Sequence, residues 1–385
     1  MQIVIPAETR PGEQRVAATP ETIKKLAASG HHKLFVQSGA GSGAHIPDDY
    51  YKNAGAVIVP DAAALYASAD MILKVSAPQS AELKLMRPGN ILVGLLAPQQ
   101  AGYIDAYSKQ GLTCFALELL PRTSRAQAMD VLSSQSNIAG YKAVIMAANS
   151  YRRFFPMLMT AAGTVRPARV LILGAGVAGL QAIATAKRLG AVVEAFDVRP
   201  IVKEQVESLG AKFVEIPQVE TEQAETAEGY AREMSEEYKR KQAELIQQRA
   251  IESDIIITTA LIPGKPAPRL ISEATLKAMK PGAVIVDMAV EAGGNCALSE
   301  LDKVVEKHGV TLIGLSNLPS LVAADASALY ARNALNFLNL LLDSKTGLPN
   351  INRADEIIAG TLVCLDGKPL QQKTPITPEQ KLKEA

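Results

Sequence analysis

Three glycines, Gly174, Gly176 and Gly179, stand at the spacing G-x-G-x-x-G, with Val177 and Ala178 between the last two. They follow the apolar run RVLIL and open the helix-like stretch AGLQAIATAKRLG, the context in which this spacing holds a dinucleotide. The first glycine permits the tight turn, the second lets a pyrophosphate approach the backbone, and the third lets the helix pack close to the sheet. The pyrophosphate then meets free N–H groups at the positive end of the helix dipole. Asp197 ends the next strand-like run, AVVEAFDV, near the interval of about 20 residues at which a carboxylate accepts the ribose hydroxyls. A 2′-phosphate would be repelled there. Val198 and Arg199 follow, and a guanidinium at that end could tolerate a 2′-phosphate or stack on adenine. Because the carboxylate occupies the fingerprint position itself, the pattern favours NAD(H) over NADP(H).

A second set of polar groups gathers in PRTSRAQAMDVLSSQSN, Pro121 to Asn137. Arg122, Gln127, Asp130, Ser133 and Gln135 supply a cation, an anion and neutral groups suited to orienting a carboxamide and a ribose. The same stretch also reads as an interdomain hinge with an N-cap, and the residues alone leave both readings open. A dehydrogenase that reduces a carbonyl must deliver a proton as well as a hydride. None of the four histidines looks placed for that. His31 and His32 follow Gly30 at a helix end, His45 sits in a glycine-rich turn, and His308, in VEKHGV, reads as a helix C-terminus. Hydride passage between two nicotinamide rings needs no acid, only control of ring position.

The elements that must position these groups alternate in type. MQIVIP, KLFVQSG, AVIV, MILKVSAP, NILVGLL and TCFALELL read as strands separated by helical stretches such as PETIKKLAASG, which argues for a parallel sheet covered by helices. A long helix follows in SSQSNIAGYKAVIMAANSYRRFF, with Ile138, Tyr141, Ile145, Ala148 and Phe155 on one face. ARVLILG, AVVEAFDV, AKFVEIP, DIIITTALIPG, AVIVDMAV and VTLIGLS then form a second doubly wound sheet. A further helix, AADASALYARNALNFLNLLLD, presents Ala324, Ala328, Ala331, Leu335, Leu338 and Leu342 and leads back to the first domain. EIIAGTLVCL and a proline-containing tail read as strand-like pieces that complete it. The expected fold is α/β, two Rossmann-like doubly wound parallel-sheet domains linked by long helices. The N-terminal, discontinuous domain takes 1–132 plus 322–385, and the nucleotide-binding domain takes 133–321. The charged segment Val219 to Ala250 reads as a solvated insertion, helical from about Ala231. The glycine-rich Ser38 to His45 stretch, with no clear helix after it, reads as a surface turn.

Composition removes other classes. Forty Lys plus Arg balance thirty-nine Asp plus Glu, a net charge of +1, so nothing draws the chain to nucleic acid or anionic lipid. Cys114, Cys296 and Cys364 have no paired spacing, so neither a disulfide framework nor a metal site is expected, and a reducing cytoplasm fits. MQIVIPAETR reads as a first strand and not as a signal peptide. No apolar run approaches the roughly 20 residues that cross a bilayer.

IPAETRPGEQRVAATP, ILKVSAP, PRTSRAQAMDVLSSQSNIAGY, GAGVAGLQAIATAKRLGA, KEQVESLGA, TTALIPGKPAP and VDMAVEAGGNC together resemble the NAD(H)-binding component, domain I, of proton-translocating nicotinamide nucleotide transhydrogenase. The resemblance runs over nearly the whole chain. It implies reversible hydride transfer from NADH to NADP⁺, the NADP(H) lying on a partner domain, coupled to proton translocation by a separate transmembrane component. It also implies a homodimer, held at the inner membrane only through its partners. Carried over residue by residue, it gives Arg122, Gln127, Asp130 and Ser133 the positioning of the nicotinamide end, and makes Tyr230, in AETAEGYA, a lid over the nucleotide. Thr258, Thr259, Ala260, Leu261 and Pro263, at a strand end in TTALIPG, are expected to wall the site. The chain is more distantly similar to alanine dehydrogenase, where Arg15 and Lys74 stand at positions that bind a keto acid. The catalytic histidine expected there near Leu95 is missing, and Glu291 replaces an aspartate. Isolated basic residues at strand ends are ordinarily solvated or ion-paired, which makes Arg15 and Lys74 structural remnants on this reading.

Overall fold

The apolar runs of the N-terminal third are short and rich in Ile, Val and Leu, and they pair as parallel strands: β1 (Gln2–Ile5), β2 (Lys33–Gln37), β3 (Val57–Val59), β4 (Met71–Leu73), β5 (Ile91–Gly94) and β6 (Thr113–Ala116). The computed structural model describes residues 1–216, 236–262 and 265–370. Its two units are Met1–Gln135 with the chain from Pro319 onward, and Ser136–Leu318. In the first unit the parallel strands lie in the order β3-β2-β1-β4-β5-β6, the doubly wound arrangement. Both faces are apolar, as a parallel sheet covered by helices requires: Ile3 and Ile5 join one core cluster and Val4 the other.

In the second unit a short hairpin, β7 (Leu158–Thr160) and β8 (Gly163–Val165), stands apart from the main sheet. The sheet itself comprises β9 (Arg169–Leu173), β10 (Val192–Phe196), β11 (Lys212–Phe213), β12 (Ile255–Thr258), β13 (Val284–Asp287), β14 (Lys303–Lys307) and β15 (Val310–Gly314). Its order is β11-β10-β9-β12-β13-β15-β14, with only β14 antiparallel. The direction of winding reverses between β9 and β12, so a crevice opens past their C-terminal ends. The first unit is completed by β16 (Leu362–Leu365) and β17 (Lys368–Pro369), antiparallel strands added beyond β6.

Several elements depart from the sequence reading. The helix Val131–Ser150 stops before Phe155, and its buried residues include Ala139, Ala143, Val144 and Ala147, while Tyr141 is exposed. Small side chains permit close packing, so the helix buries its alanines and not its largest apolar residue. The helix Ala323–Leu341 buries Tyr330, Ala331, Leu335, Phe337 and Leu338, but Ala324 is exposed and Leu342 caps its end. It lies wholly within the first unit, whereas the helix Val131–Ser150 runs from the first unit into the second. EIIAGT forms a helix, Glu356–Thr361, capped by Asp355 through the Ile357 N–H at 2.9 Å, and the strand starts only at Leu362. The cap decides it, because it satisfies N–H groups that a strand would have had to pair. His308 belongs to no helix: it sits at φ 54° in the turn joining β14 to β15, with Nε2 3.2 Å from Glu273. Ser38 to His45 forms a turn as read, but a helix, Asp48–Asn53, does open soon after it, and the Ser38 hydroxyl and Gly39 N–H both donate to its Asp48, at 2.7 and 2.9 Å.

Phe337 ties the returning helix to the sheet, its ring 5.6 Å from that of Phe115 on β6, and both are wholly buried. Phe337→Ala removes that anchor and leaves a cavity, a loss of about 3–5 kcal/mol. Urea denaturation should show a lowered midpoint at unchanged slope; a loss under about 1 kcal/mol would mean that the helix is held elsewhere.

Candidate functional site

β9 ends at Leu173 and the chain turns at Gly174, whose φ of +101° favours glycine. A side chain there would also collide with Thr259, since a Cβ would lie 2.5 Å from its Oγ1 and 3.2 Å from the Ala260 nitrogen. Gly179 is equally constrained, because its Cβ would run into the Gly174 carbonyl oxygen. At Gly176 the surroundings are the reverse. The nearest atom a Cβ would meet is Arg199 Nη2, 4.0 Å away. Two glycines therefore serve close packing and the middle one leaves open ground. It is also the N-cap of the helix Val177–Arg188, and no side chain caps that end. Val177 is exposed and Ala178 half-buried beside it. Uncapped N–H groups next to open space suit an anion, and the residues present fit a dinucleotide pyrophosphate.

Asp197 follows β10 and faces the same turn. Its Oδ2 accepts the Ala175 N–H at 2.7 Å, and its Oδ1 accepts the Arg199 N–H at 2.9 Å. The Arg199 guanidinium grips both oxygens, Nε to Oδ1 and Nη2 to Oδ2, each at 2.9 Å. The carboxylate is thus held in place, and its charge is already countered. Repulsion of a 2′-phosphate would be weaker here than Asp197 read alone suggests, and ribose hydroxyls bound at this carboxylate would have to share or displace the fork of Arg199. Val198 between them is half-buried. Tyr238, on the helix Glu236–Glu252, stands near this carboxylate: burial, and then Asp197, push its phenol up. Tyr230 and Pro263 lie outside the described residues.

Across the crevice, past β12, the strand-end candidates separate. Thr258 does not wall anything: it is wholly buried and its hydroxyl donates to Asp287 Oδ1 at 3.1 Å. Side chains alternate along a strand, so its neighbour takes the other direction. Thr259 Oγ1 donates to the Gly174 carbonyl at 3.0 Å, Ala260 is half-buried and Leu261 is exposed. Two residues that the sequence reading passed over organise this end, Asp287 and Asn295, both wholly buried. No spacing rule marks them; they fall inside VDMAVEAGGNC, whose only signal is its glycine pair.

In the first unit, Asp130 and Ser133 are brought together. Asp130 Oδ1 accepts the Ser133 N–H at 2.9 Å and Oδ2 accepts its hydroxyl at 2.6 Å, an N-cap on the helix Val131–Ser150. Arg122 and Gln127 are exposed. The loop is anchored through Ala128, whose carbonyl accepts from Asn333 and Asn336, each at 2.9 Å. Gln135 turns into the core instead, accepting from Arg15 Nη1 at 2.8 Å and donating to the Ala326 carbonyl at 3.1 Å. Among the described residues no His, Cys, Asp and Glu cluster could hold a metal, and no helix is long and apolar enough to cross a membrane.

Two family models cover the chain: "Alanine dehydrogenase/PNT, N-terminal domain" over residues 4–139 and "Alanine dehydrogenase/PNT, C-terminal domain" over residues 143–372. The chain belongs to the alanine dehydrogenase/PNT family. It is 54% identical to an NAD(P) transhydrogenase subunit alpha polypeptide of Rhodospirillum rubrum, over 95% of this chain and 97% of that one. The crystal structure of transhydrogenase from Sinorhizobium meliloti superimposes with a TM-score of 0.85 at 46% identity, covering 96% of this chain and all, 100%, of that one. Alanine dehydrogenase of Halomonas elongata is more distant, 32% identical over 96% of this chain and 94% of that one. The family and its transhydrogenase alpha-subunit relatives accord with the two doubly wound sheets.

Arg15 and Lys74, where resemblance to alanine dehydrogenase would place a keto acid, are both buried and both ion-paired. Arg15 forms a fork with Glu13, Nε to Oε1 at 2.8 Å and Nη2 to Oε2 at 2.6 Å. Lys74 Nζ lies 3.0 Å from Glu8 and 2.6 Å from Glu82. Burial opposes the Lys74 ammonium, but Glu8 and Glu82 outweigh it and hold its pKa above the ordinary value. Burial pushes Glu8 up, while Glu82 ends below its usual range because Lys74 overcomes its desolvation. Carboxylates of the chain itself thus occupy the cations. Lys74→Met should cost about 3–5 kcal/mol, since it strands two buried carboxylates, and should leave NADH affinity unchanged. Denaturation and an NADH titration of the variant check both, and a large affinity loss in a folded variant would return Lys74 to the binding site.

Proposed function

We propose that this chain is the NAD(H)-binding component of a proton-translocating transhydrogenase. The observation that carries this reading is the uncapped helix end beside the open ground at Gly176, flanked by the Asp197 carboxylate. Similarity to the transhydrogenase subunit of Rhodospirillum rubrum supports it. The glycine turn, Val177 and Ala178 hold the pyrophosphate, Asp197 with Val198 and Arg199 holds the adenosine ribose, and Thr259, Ala260 and Leu261 line the other half. NADH, when bound, supplies a hydride to NADP⁺ on a partner domain, giving NAD⁺ and NADPH with no proton gained or lost by this chain.

The side chains of the Arg122–Ser133 loop orient and do not react. The Ser133 hydroxyl donates its hydrogen bond to Asp130, which leaves its oxygen lone pairs to accept from a carboxamide. Gln127 presents an exposed carboxamide of its own, able both to donate and to accept, and Arg122 with Asp130 orients the loop and the ribose. Coupling to proton movement belongs to a transmembrane partner, so this component works in the cytoplasm, peripheral to the inner membrane. The functional form is a homodimer. The hairpin β7–β8 supports this: Met159 on it is 71% exposed, Met157 before it 59% and Phe154 54%, an apolar patch suited to a second copy.

Mixing the chain with the NADP(H)-binding domain of a transhydrogenase should yield NADPH from NADH and NADP⁺, while either alone gives none. Alanine with NAD⁺ should give no NADH; robust turnover there would instead make the chain an alanine dehydrogenase. Asp197→Ala should weaken NADH binding roughly 10- to 100-fold, the worth of lost hydrogen bonds to a charged group. An unchanged titration would remove Asp197 from the site.

A further inference from the structure

We infer that Asn295 is a positioning residue for the nicotinamide half of the nucleotide, acting through the backbone of Ala260. This rests on the reading of the Gly174–Asp197 crevice as an NAD(H) site. β12 ends at Thr258 and the ladder reaches only one residue further, the Thr259 N–H donating to the Leu173 carbonyl at 2.8 Å, yet the N–H and C=O groups of Ala260 still require satisfaction. Asn295 supplies it at Ala260: its Oδ1 accepts the Ala260 N–H at 3.1 Å, and its Nδ2 donates to the Ala260 carbonyl at 2.9 Å. A side-chain amide thereby stands in for a neighbouring strand. The same Nδ2 donates to the Pro268 carbonyl at 2.8 Å. The orientation of the amide is determined by these partners, because a flipped group would set its one oxygen against two carbonyls and its NH₂ against an N–H.

Asn295 is itself held at both ends. Its N–H donates to Asp287 Oδ1 at 3.1 Å, and its carbonyl accepts the N–H groups of Leu270 and Ile271 at 2.8 and 3.0 Å. Asp287 also receives the Thr258 hydroxyl at 3.1 Å and the Ala289 and Cys296 N–H groups at 3.1 and 3.0 Å. The hub therefore joins the end of β12, the loop beyond it and the turn after β13. From Ala260 the connection continues to the cradle, since Thr259 donates to Gly174.

The placement decides which half of the ligand is affected. Asp197 marks the adenosine ribose on the β10 side of the reversal point, so the nicotinamide half lies on the β12 side, where Ala260 is. A purely structural asparagine would support both halves alike. The test compares NADH with ADP, which lacks the nicotinamide half, as ligands of the full chain. Asn295→Ser and Asn295→Asp, the second retaining an acceptor but losing both donor bonds, should raise the Kd for NADH about tenfold or more, the equivalent of one to two hydrogen bonds. The Kd for ADP should stay within about twofold. Equal losses for the two ligands, or none for NADH, would overturn the inference. Asp197→Ala run in parallel separates the failures: if it disturbs neither ligand, the nucleotide reading has failed, and if it weakens both while the Asn295 variants do not discriminate, only the role of Asn295 has. Should the variants not fold, amide exchange in the unsubstituted chain decides the matter. The Ala260 N–H should exchange slowly without nucleotide, and rapid exchange there would refute the clamp.

Discussion

Close contact between the Gly174 turn and the end of β12 is the constraint on which the rest of the nucleotide-binding unit depends. The Thr259 hydroxyl lies where a side chain on residue 174 would have to go, and the Gly174 carbonyl lies where one on residue 179 would. Bringing the turn this close joins the two central strands at the reversal point and aims the helix Val177–Arg188 along the crevice. The helix can then present its unpaired N–H groups to an anion, since only the middle glycine faces open ground. Thr259 serves both sides of this arrangement, filling the space above Gly174 and donating to its carbonyl.

Charge is handled by neutralising pairs more than by isolated ions. Asp197 carries the guanidinium of Arg199, Arg15 carries Glu13, and Lys74 lies between Glu8 and Glu82. Burying an unpaired charge costs several kcal/mol, so polar residues inside such sheets persist only with partners. The consequences differ by place. At Arg15 and Lys74 the partners are interior, which makes the cluster part of the core of the first unit. At Asp197 the pair stands beside open ground, where a ligand's hydroxyls can compete for the same oxygens. The pairing also tempers any simple inference from one carboxylate to a choice between NAD(H) and NADP(H).

The loop from Arg122 to Ser133 shows how one residue set can satisfy two descriptions. Asp130 and Ser133 form an N-cap, as a hinge would, and the cap fixes the direction of the Ser133 proton. Asn333 and Asn336 tie Ala128 to the returning helix, so the exposed Arg122 and Gln127 are carried on an anchored segment. Orientation by a rigid support is what a ring-positioning role would require.

Much of this was legible in the residues themselves. Short Ile- and Val-rich runs between helical stretches gave a parallel α/β fold twice over, because such runs can be buried on both faces only in that architecture. The glycine spacing with Asp197 marked the cradle, since its requirements are local: a positive φ, a close approach and a carboxylate one strand later. Which face of each long helix is buried was not local, and the alanines of Val131–Ser150 displaced Tyr141 from the core because packing distance decides it. Nor could spacing reveal that Arg199 would fold back on Asp197, that Gln135 would turn inward to Arg15, or that Asn295, 35 residues along the chain, would clamp Ala260. Sequence by itself determined most of the strands, the long helices and the glycine turn, which depend on near neighbours. Only the tertiary structure decided which polar groups are already partnered, because the partners are brought within hydrogen-bonding distance by the sheet and not by the chain.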